Sequence, residues 1–251
     1  ISHITRADEW IPSTPRHVLM YNAFGWIPPL YAHLPIILDP SGKGKMSKRK
    51  TLSQGGRERC VLLHEFRAAS YLPEAMFNYL ALLGWSYDDK TDILTREQII
   101  HHFDLDRVSK APAAFSYDKL DWMNGMYIRQ LEVDDLAARI QPFLNRANLQ
   151  ADADTVRRVT PLIKERLVRL ADAVAWTDFF FVDDLQYEAQ SLIQNKMTAA
   201  QTCQVLAESQ QVLSTLPTFD EASIEKGLRA RAEEMGFKAR QFFGTLRIAV
   251  T

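Results

Sequence analysis

The chain has 251 residues, 47% of them hydrophobic and 24% charged, with a formal net charge of −1. That length can form two or three compact units with sizeable cores, and no apolar run approaches the ~20 residues that span a bilayer. Cys60 and Cys203 are too few for a disulfide framework or a zinc site and suit a reducing compartment.

Ile1 to Thr5 reads as a short strand whose end presents Arg6, Asp8 and Glu9. Ser13-Thr14-Pro15 starts a helix, with a capping hydroxyl and a proline at the first helical position. That helix ends near Gly25, and Pro28-Pro29 stops its continuation. Leu34 to Leu38 is an apolar strand closed by the turn Asp39-Pro40-Ser41-Gly42. Strand, helix and strand in that order suit the second half of an α/β nucleotide-binding unit, whose ligands gather at the carboxyl ends of strands. After about residue 60 the pattern turns helical. Pro73 opens a helix with Met76, Phe77, Leu80 and Leu83 on one side, closed by Gly84. Thr95-Arg96-Glu97-Gln98 is a capping box, and Ser116 caps a helix carrying Leu120, Met123 and Tyr127. Further helices are expected over about 133–147, 154–176, 199–214, 220–235 and 238–247. Phe179 to Val182 reads as a buried connection, and a boundary falls near 145–153.

The near-zero net charge does not announce a polyanion binder, so such a partner must meet local basic patches. One stands out. Ser41-Gly42-Lys43-Gly44-Lys45-Met46-Ser47-Lys48-Arg49-Lys50 places lysines at alternate positions on a glycine-bearing loop. From Lys43 to Arg59 there are seven Lys/Arg against one Glu. Glycine lets a backbone approach a ligand closely, and lysine offers a compact charge with three rotatable donors suited to phosphate. The P-loop pattern is absent, because Ser47 rather than Gly-Lys-Ser/Thr follows Gly42 at that spacing. A solvated charged face is the competing reading.

Lys45-Met46-Ser47-Lys48 resembles the K-M-S-K loop of class I aminoacyl-tRNA synthetases, and Arg49-Lys50 narrows the likeness to the glutamyl type of bacteria. Upstream, Ile1-Ser2-His3-Ile4-Thr5-Arg6-Ala7-Asp8-Glu9-Trp10 and Ser13-Thr14-Pro15 resemble the family's segment before that loop. Downstream, Leu72-Pro73-Glu74-Ala75 with Asn78-Tyr79-Leu80, and Phe115-Ser116-Tyr117-Asp118-Lys119-Leu120-Asp121-Trp122-Met123-Asn124, are similar to two further family blocks. All stand in family order over residues 1 to about 130. Beyond 150 the likeness rests on helical texture and on Leu246-Arg247-Ile248-Ala249-Val250-Thr251, with Thr245 where the family has proline. The six histidines include no His-x-Gly-His, the other signature of class I synthetases. The resemblance therefore implies a C-terminal fragment. Its expected fold is an α/β remnant of a Rossmann-like nucleotide-binding domain (1–60), a helical stem-contact region (61–150) and an α-helical anticodon-binding domain (151–251).

The resemblance also implies a chemistry and its residues. The family activates L-glutamate with ATP, accompanied by Mg2+, and transfers it to tRNA(Glu). Arg6 would bind the glutamate, as guanidinium–carboxylate geometry allows, although a salt bridge to Asp8 or Glu9 competes. Glu9 would lie near the nucleotide's sugar, against the alternative of a carboxylate favouring a helix N-terminus. Leu38 would offer backbone contacts near the adenine while serving as a core leucine. Lys48 and, second, Lys45 would stabilise charge that builds on phosphate as pyrophosphate departs. No covalent nucleophile is needed, so both cysteines read as structural, and no carboxylate cluster forms a metal cage. Lys119, Arg129 and Arg247 are the expected tRNA contacts. Arg157, Arg158, Lys164, Arg166 and Arg169 either track phosphates or form a solvated face. The expected protein is a cytoplasmic monomer that does not touch membrane. The alternative is a non-catalytic tRNA-binding module.

Overall fold

The structure is a computed structural model that describes residues 1–47, 60–182, 184–185 and 188–251. It divides into two compact units, Ile1–Thr177 and Asp178–Thr251. The expected boundaries near 60 and 150 both lie within the first of these.

The first unit opens with strand β1 (His3–Ala7), a 3-10 turn (Asp8–Ser13), helix α1 (Thr14–Ala23) and strand β2 (Leu30–Leu34). Pro15 sits in the first turn of α1, where a missing N–H costs nothing, and Gly25 leaves the helix at φ +67°. β1 and β2 pair in parallel, with Arg6 opposite His33. The expected strand over 34–38 divides in two. Pro35, which has no N–H to donate, separates β2 from β3 (Ile37–Leu38). β3 pairs in parallel with β4 (Ala113–Ala114), far along the chain.

The core lies C-terminal to this sheet. Cys60, Phe66, Tyr71, Met76, Tyr79, Phe115, Leu120 and Met123 form one cluster. They come from α2 (Leu63–Ala68), α3 (Pro73–Ala81), α5 (Tyr117–Gln130) and the segments between. Two of the three predicted caps are present; the Ser13 hydroxyl does not cap α1 and donates instead to the Trp10 carbonyl at 2.9 Å. Thr95 and Gln98 exchange bonds at the start of α4 (Arg96–His102), and Ser116 Oγ accepts the Lys119 N–H at the start of α5. Beyond α5, α6 (Val133–Arg146), α7 (Ala153–Ile163) and α8 (Asp172–Thr177) pack on one another around Leu136, Ile140, Leu144, Val156 and Ala173, all wholly buried.

The single helix expected over 154–176 is interrupted, because its backbone finds other partners. Ser70 accepts the Leu170 N–H through its carbonyl and the Ala171 N–H through its hydroxyl. Lys164 Nζ reaches back to the Leu131 carbonyl. The two bonds to Ser70 take backbone donors that a continuous helix would need. The second unit packs α9 (Ala199–Thr215), α10 (Glu221–Glu234) and α11 (Ala239–Val250) around Val205, Leu228, Ala232 and Phe242. Phe179 to Val182, expected to be buried, is not: Phe180 and Val182 are each 42% exposed, and the Phe179 and Phe180 rings lie against one another at a tilt of 34°.

Candidate active site and nucleic-acid interface

The ends of β1 and β3 line one hollow, and the lysine loop grows directly from β3. The loop is a tight hairpin. Leu38 bridges Lys45 in antiparallel fashion, Asp39 N–H donates to the Gly44 carbonyl at 2.7 Å, and Met46 N–H donates to Ile37 at 2.9 Å. Asp39 Oδ1 accepts the Ser41 N–H, and Gly42 turns the chain at φ +72°, a region that favours glycine. Alternation then puts Lys45 outward and Met46 inward, against the Phe66–Phe115 cluster. Met46 is therefore the apolar anchor of the loop, a role that this alternation could have signalled.

Lys45 Nζ sits 2.8 Å from both carboxylate oxygens of Glu9. Two residues singled out separately in the sequence thus meet, 36 positions apart. Both side chains are about half exposed, at 54% and 50%. Pairs of this kind are worth at most about 1 kcal/mol, so Lys45 can exchange the carboxylate for another anion at small cost. Arg6 is not paired with Asp8 or Glu9. Its guanidinium lies 3.2 Å from His17 Nε2 and 5.0 Å from the centre of the Trp10 ring. Arg6, Lys45 and Met46 line one hollow of about 440 Å³, with Leu34 to Ile37 and Val61-Leu62. Leu38 is half-buried, and its carbonyl accepts the Phe115 N–H at 3.0 Å. Lys48 lies outside the described residues. Cys60 is in the core, whereas Cys203 is exposed on α9. Among the described residues no group of three or more His, Cys, Asp or Glu side chains converges as a metal site would require.

The expected RNA contacts differ in their surroundings. Lys119 Nζ is 2.7 Å from Asp92. Arg129 donates to the Glu165 carbonyl at 3.2 Å and so helps close the turn after α7. Arg157 pairs with Asp134, Arg166 lies over Trp176, and Arg169 is held by Asp121 while stacked on Tyr71. Only Arg158 of that series and Arg247 remain exposed without a side-chain partner among the described residues. Arg247 stands on α11 beside Arg240, Phe243 and Gly244.

Sequence reading did not assign the two motif asparagines, and here the structure is informative. Asn78 and Asn124 are fully buried. Asn78 Oδ1 accepts the Leu94 N–H and the Tyr127 hydroxyl, each at 2.9 Å. Asn124 accepts from Leu72 N–H at 2.8 Å and donates to the Val168 carbonyl at 2.5 Å. These amides tie α3, α5 and the turn before α8 together.

Residues 1–122 match the family described as tRNA synthetases class I (E and Q), catalytic domain, and residues 135–251 match the anticodon binding domain. The chain belongs to the class I tRNA synthetases of the E and Q type. Glutamate–tRNA ligases are among the proteins it resembles. That of Dehalococcoides mccartyi is 46% identical over all of this chain, and that of Roseiflexus castenholzii 45% identical, the matches covering 51% and 49% of those proteins. The chain thus spans about half the length of the curated relatives it matches. A crystal structure of a glutamate tRNA ligase from Elizabethkingia meningosepticum, in complex with its amino acid, superposes with a TM-score of 0.80 at 30% identity. That match covers 100% of this chain and 51% of the other. No helix among the described residues is long and apolar enough to cross a membrane.

Proposed function

We propose that this chain is part of a glutamate–tRNA ligase, supplying the lysine loop and the tRNA-binding helices. The observation that carries this is the convergence of Arg6, Glu9 and Lys45 at the ends of β1 and β3, beside one hollow. In this reading ATP, with Mg2+ as its substrate complex, reacts with L-glutamate, whose carboxylate attacks the α-phosphorus and expels pyrophosphate. Arg6 takes a carboxylate of glutamate. Glu9 and the Leu38 backbone flank the nucleotide. Lys45 and Lys48 neutralise the phosphate oxygens as charge accumulates on them, which lowers the barrier electrostatically. The weak Lys45–Glu9 pair suits this role, since opening it frees a cation for phosphate and a carboxylate for the sugar. Residues 1–60 then carry the catalytic portion, 61–150 the stem-contact region and 151–251 the anticodon-binding region. Lys119, Arg129 and Arg247 contact tRNA(Glu), and the protein works as a cytoplasmic monomer.

Two measurements on the 251-residue chain test this. Binding of tRNA(Glu) against an unrelated tRNA across a salt series should show selective affinity that weakens with salt. Equal and feeble binding of both RNAs would count against recognition by this chain. ATP–pyrophosphate exchange in the presence of glutamate separates the ligase from the alternative. Selective tRNA binding with exchange at background would favour a non-catalytic tRNA-binding module.

A further inference from the structure

Arg6 is held by an uncharged partner. Its Nη1 lies 3.2 Å from His17 Nε2, and its guanidinium carbon lies 5.0 Å from the centre of the Trp10 ring. Among the described residues no carboxylate pairs with it, although Asp8 and Glu9 follow closely in the chain and Glu9 turns to Lys45. A guanidinium only donates, so His17 Nε2 accepts, and the ring is neutral with its proton on Nδ1. The start of α1 supplies the rest of the frame. Thr14 Oγ1 donates to the Trp10 carbonyl at 3.0 Å, and with that proton committed it accepts from His33 Nε2 at 2.9 Å. His33 stands opposite Arg6 in the pairing of β1 with β2. Thr14 and His17 share one face of α1 at i, i+3 spacing. The two imidazoles therefore differ in tautomer, with the proton on Nδ1 in His17 and on Nε2 in His33.

We propose that His17 is a positioning residue, which aims Arg6 at a substrate carboxylate without cancelling its charge. This rests on the reading that Arg6 binds glutamate. A guanidinium held through one N–H keeps its other donors for a ligand. A carboxylate in the place of His17 would hold Arg6 more strongly, but it would neutralise the charge and compete with the incoming carboxylate. The neutral imidazole fixes the direction of the fork, which lowers the ordering cost of binding, and leaves the positive charge whole. Trp10 limits the same group from its face.

The test is calorimetric titration of the 251-residue chain with L-glutamate at about pH 8, where an unperturbed imidazole is neutral. His17→Leu removes the acceptor and should weaken binding about tenfold, the order of one hydrogen bond to a charged group. The decisive pair is His17→Gln and His17→Glu, which have nearly the same shape. The first places an amide oxygen where Nε2 stood and should restore most of the affinity. The second keeps Arg6 paired but neutralises it, and should bind as poorly as His17→Leu. Packing alone would not separate these two, and circular dichroism checks that each variant folds. Long-range proton–nitrogen NMR of the unaltered chain should show the two tautomers assigned above. Equal binding by the Gln and Glu variants, or by His17→Leu and the unaltered chain, would overturn the positioning role while leaving that of Arg6. A His17 proton on Nε2 would overturn it too. If the unaltered chain takes up no glutamate, or Arg6→Gln binds it equally well, the assignment of Arg6 falls, and the role of His17 with it.

Discussion

At residue scale, Asn124 and Lys45 represent two kinds of motif position that look alike in sequence. Asn124 is wholly buried and makes one bond as acceptor and one as donor. Asn124→Ala leaves the Leu72 N–H and the Val168 carbonyl unpaired, at a cost of about 1–3 kcal/mol each. Urea unfolding should show that loss as a lower midpoint with an unchanged slope. Lys45 is the opposite case. Its exposed pair with Glu9 adds little to stability, so Lys45→Ala should leave the unfolding free energy within about 1 kcal/mol. The same substitution should abolish any ATP–pyrophosphate exchange the chain supports. A large stability loss would instead make Lys45 a structural residue.

At the scale of elements, α5 organises the first unit. Ser116 caps it, Gly125 lets the Leu167 carbonyl approach closely, and Asp121 holds Arg169. A Cβ on Gly125 would lie 3.3 Å from that carbonyl, tighter than ordinary contact. Ser116→Ala should destabilise the chain by about 1 kcal/mol, the usual cost of a lost N-cap. A thermal melt followed by circular dichroism can measure it. α7 shows how an element can be misjudged. Residues 154–176 have continuous helical composition, yet Ser70, about a hundred residues upstream, captures the donors of Leu170 and Ala171. That competition leaves no local trace, whereas caps and prolines act within a few residues and are visible in sequence.

At the scale of the whole molecule, stability is unevenly spread. α1 has no buried residue, and Leu19, Met20 and Phe24 on or beside it are more than half exposed. Its amides should therefore exchange with solvent well before those of α5 and α6, as hydrogen exchange can show. Three tyrosines of the first unit give the fold an alkaline limit. Burial raises Tyr71 and Tyr79 above the usual phenol range, helped at Tyr71 by its bond to Asp121, and pushes Tyr127 up to about 12. Each stays protonated in the folded chain at a pH where the unfolded chain has released the proton. Their contribution is thus complete below about pH 10 and declines as pH rises toward the folded values. Unfolding free energy should fall above pH 10 in step with tyrosinate absorbance.

The sequence by itself determined what depends on near neighbours or on a contiguous motif. It located the lysine loop, the caps at Thr95 and Ser116 and most helices, because each of these signals lies within about ten residues, and the class of protein, because each of its motif blocks is contiguous. Only the tertiary structure decided which of those residues meet. The Lys45–Glu9 pair, the division of the strand at Pro35, the end of α7 and the burial of Asn78 and Asn124 all depend on distant partners. A basic residue reads the same in sequence whether it is locked to Asp121 or open to a phosphate, and only the position of its neighbours tells the two apart.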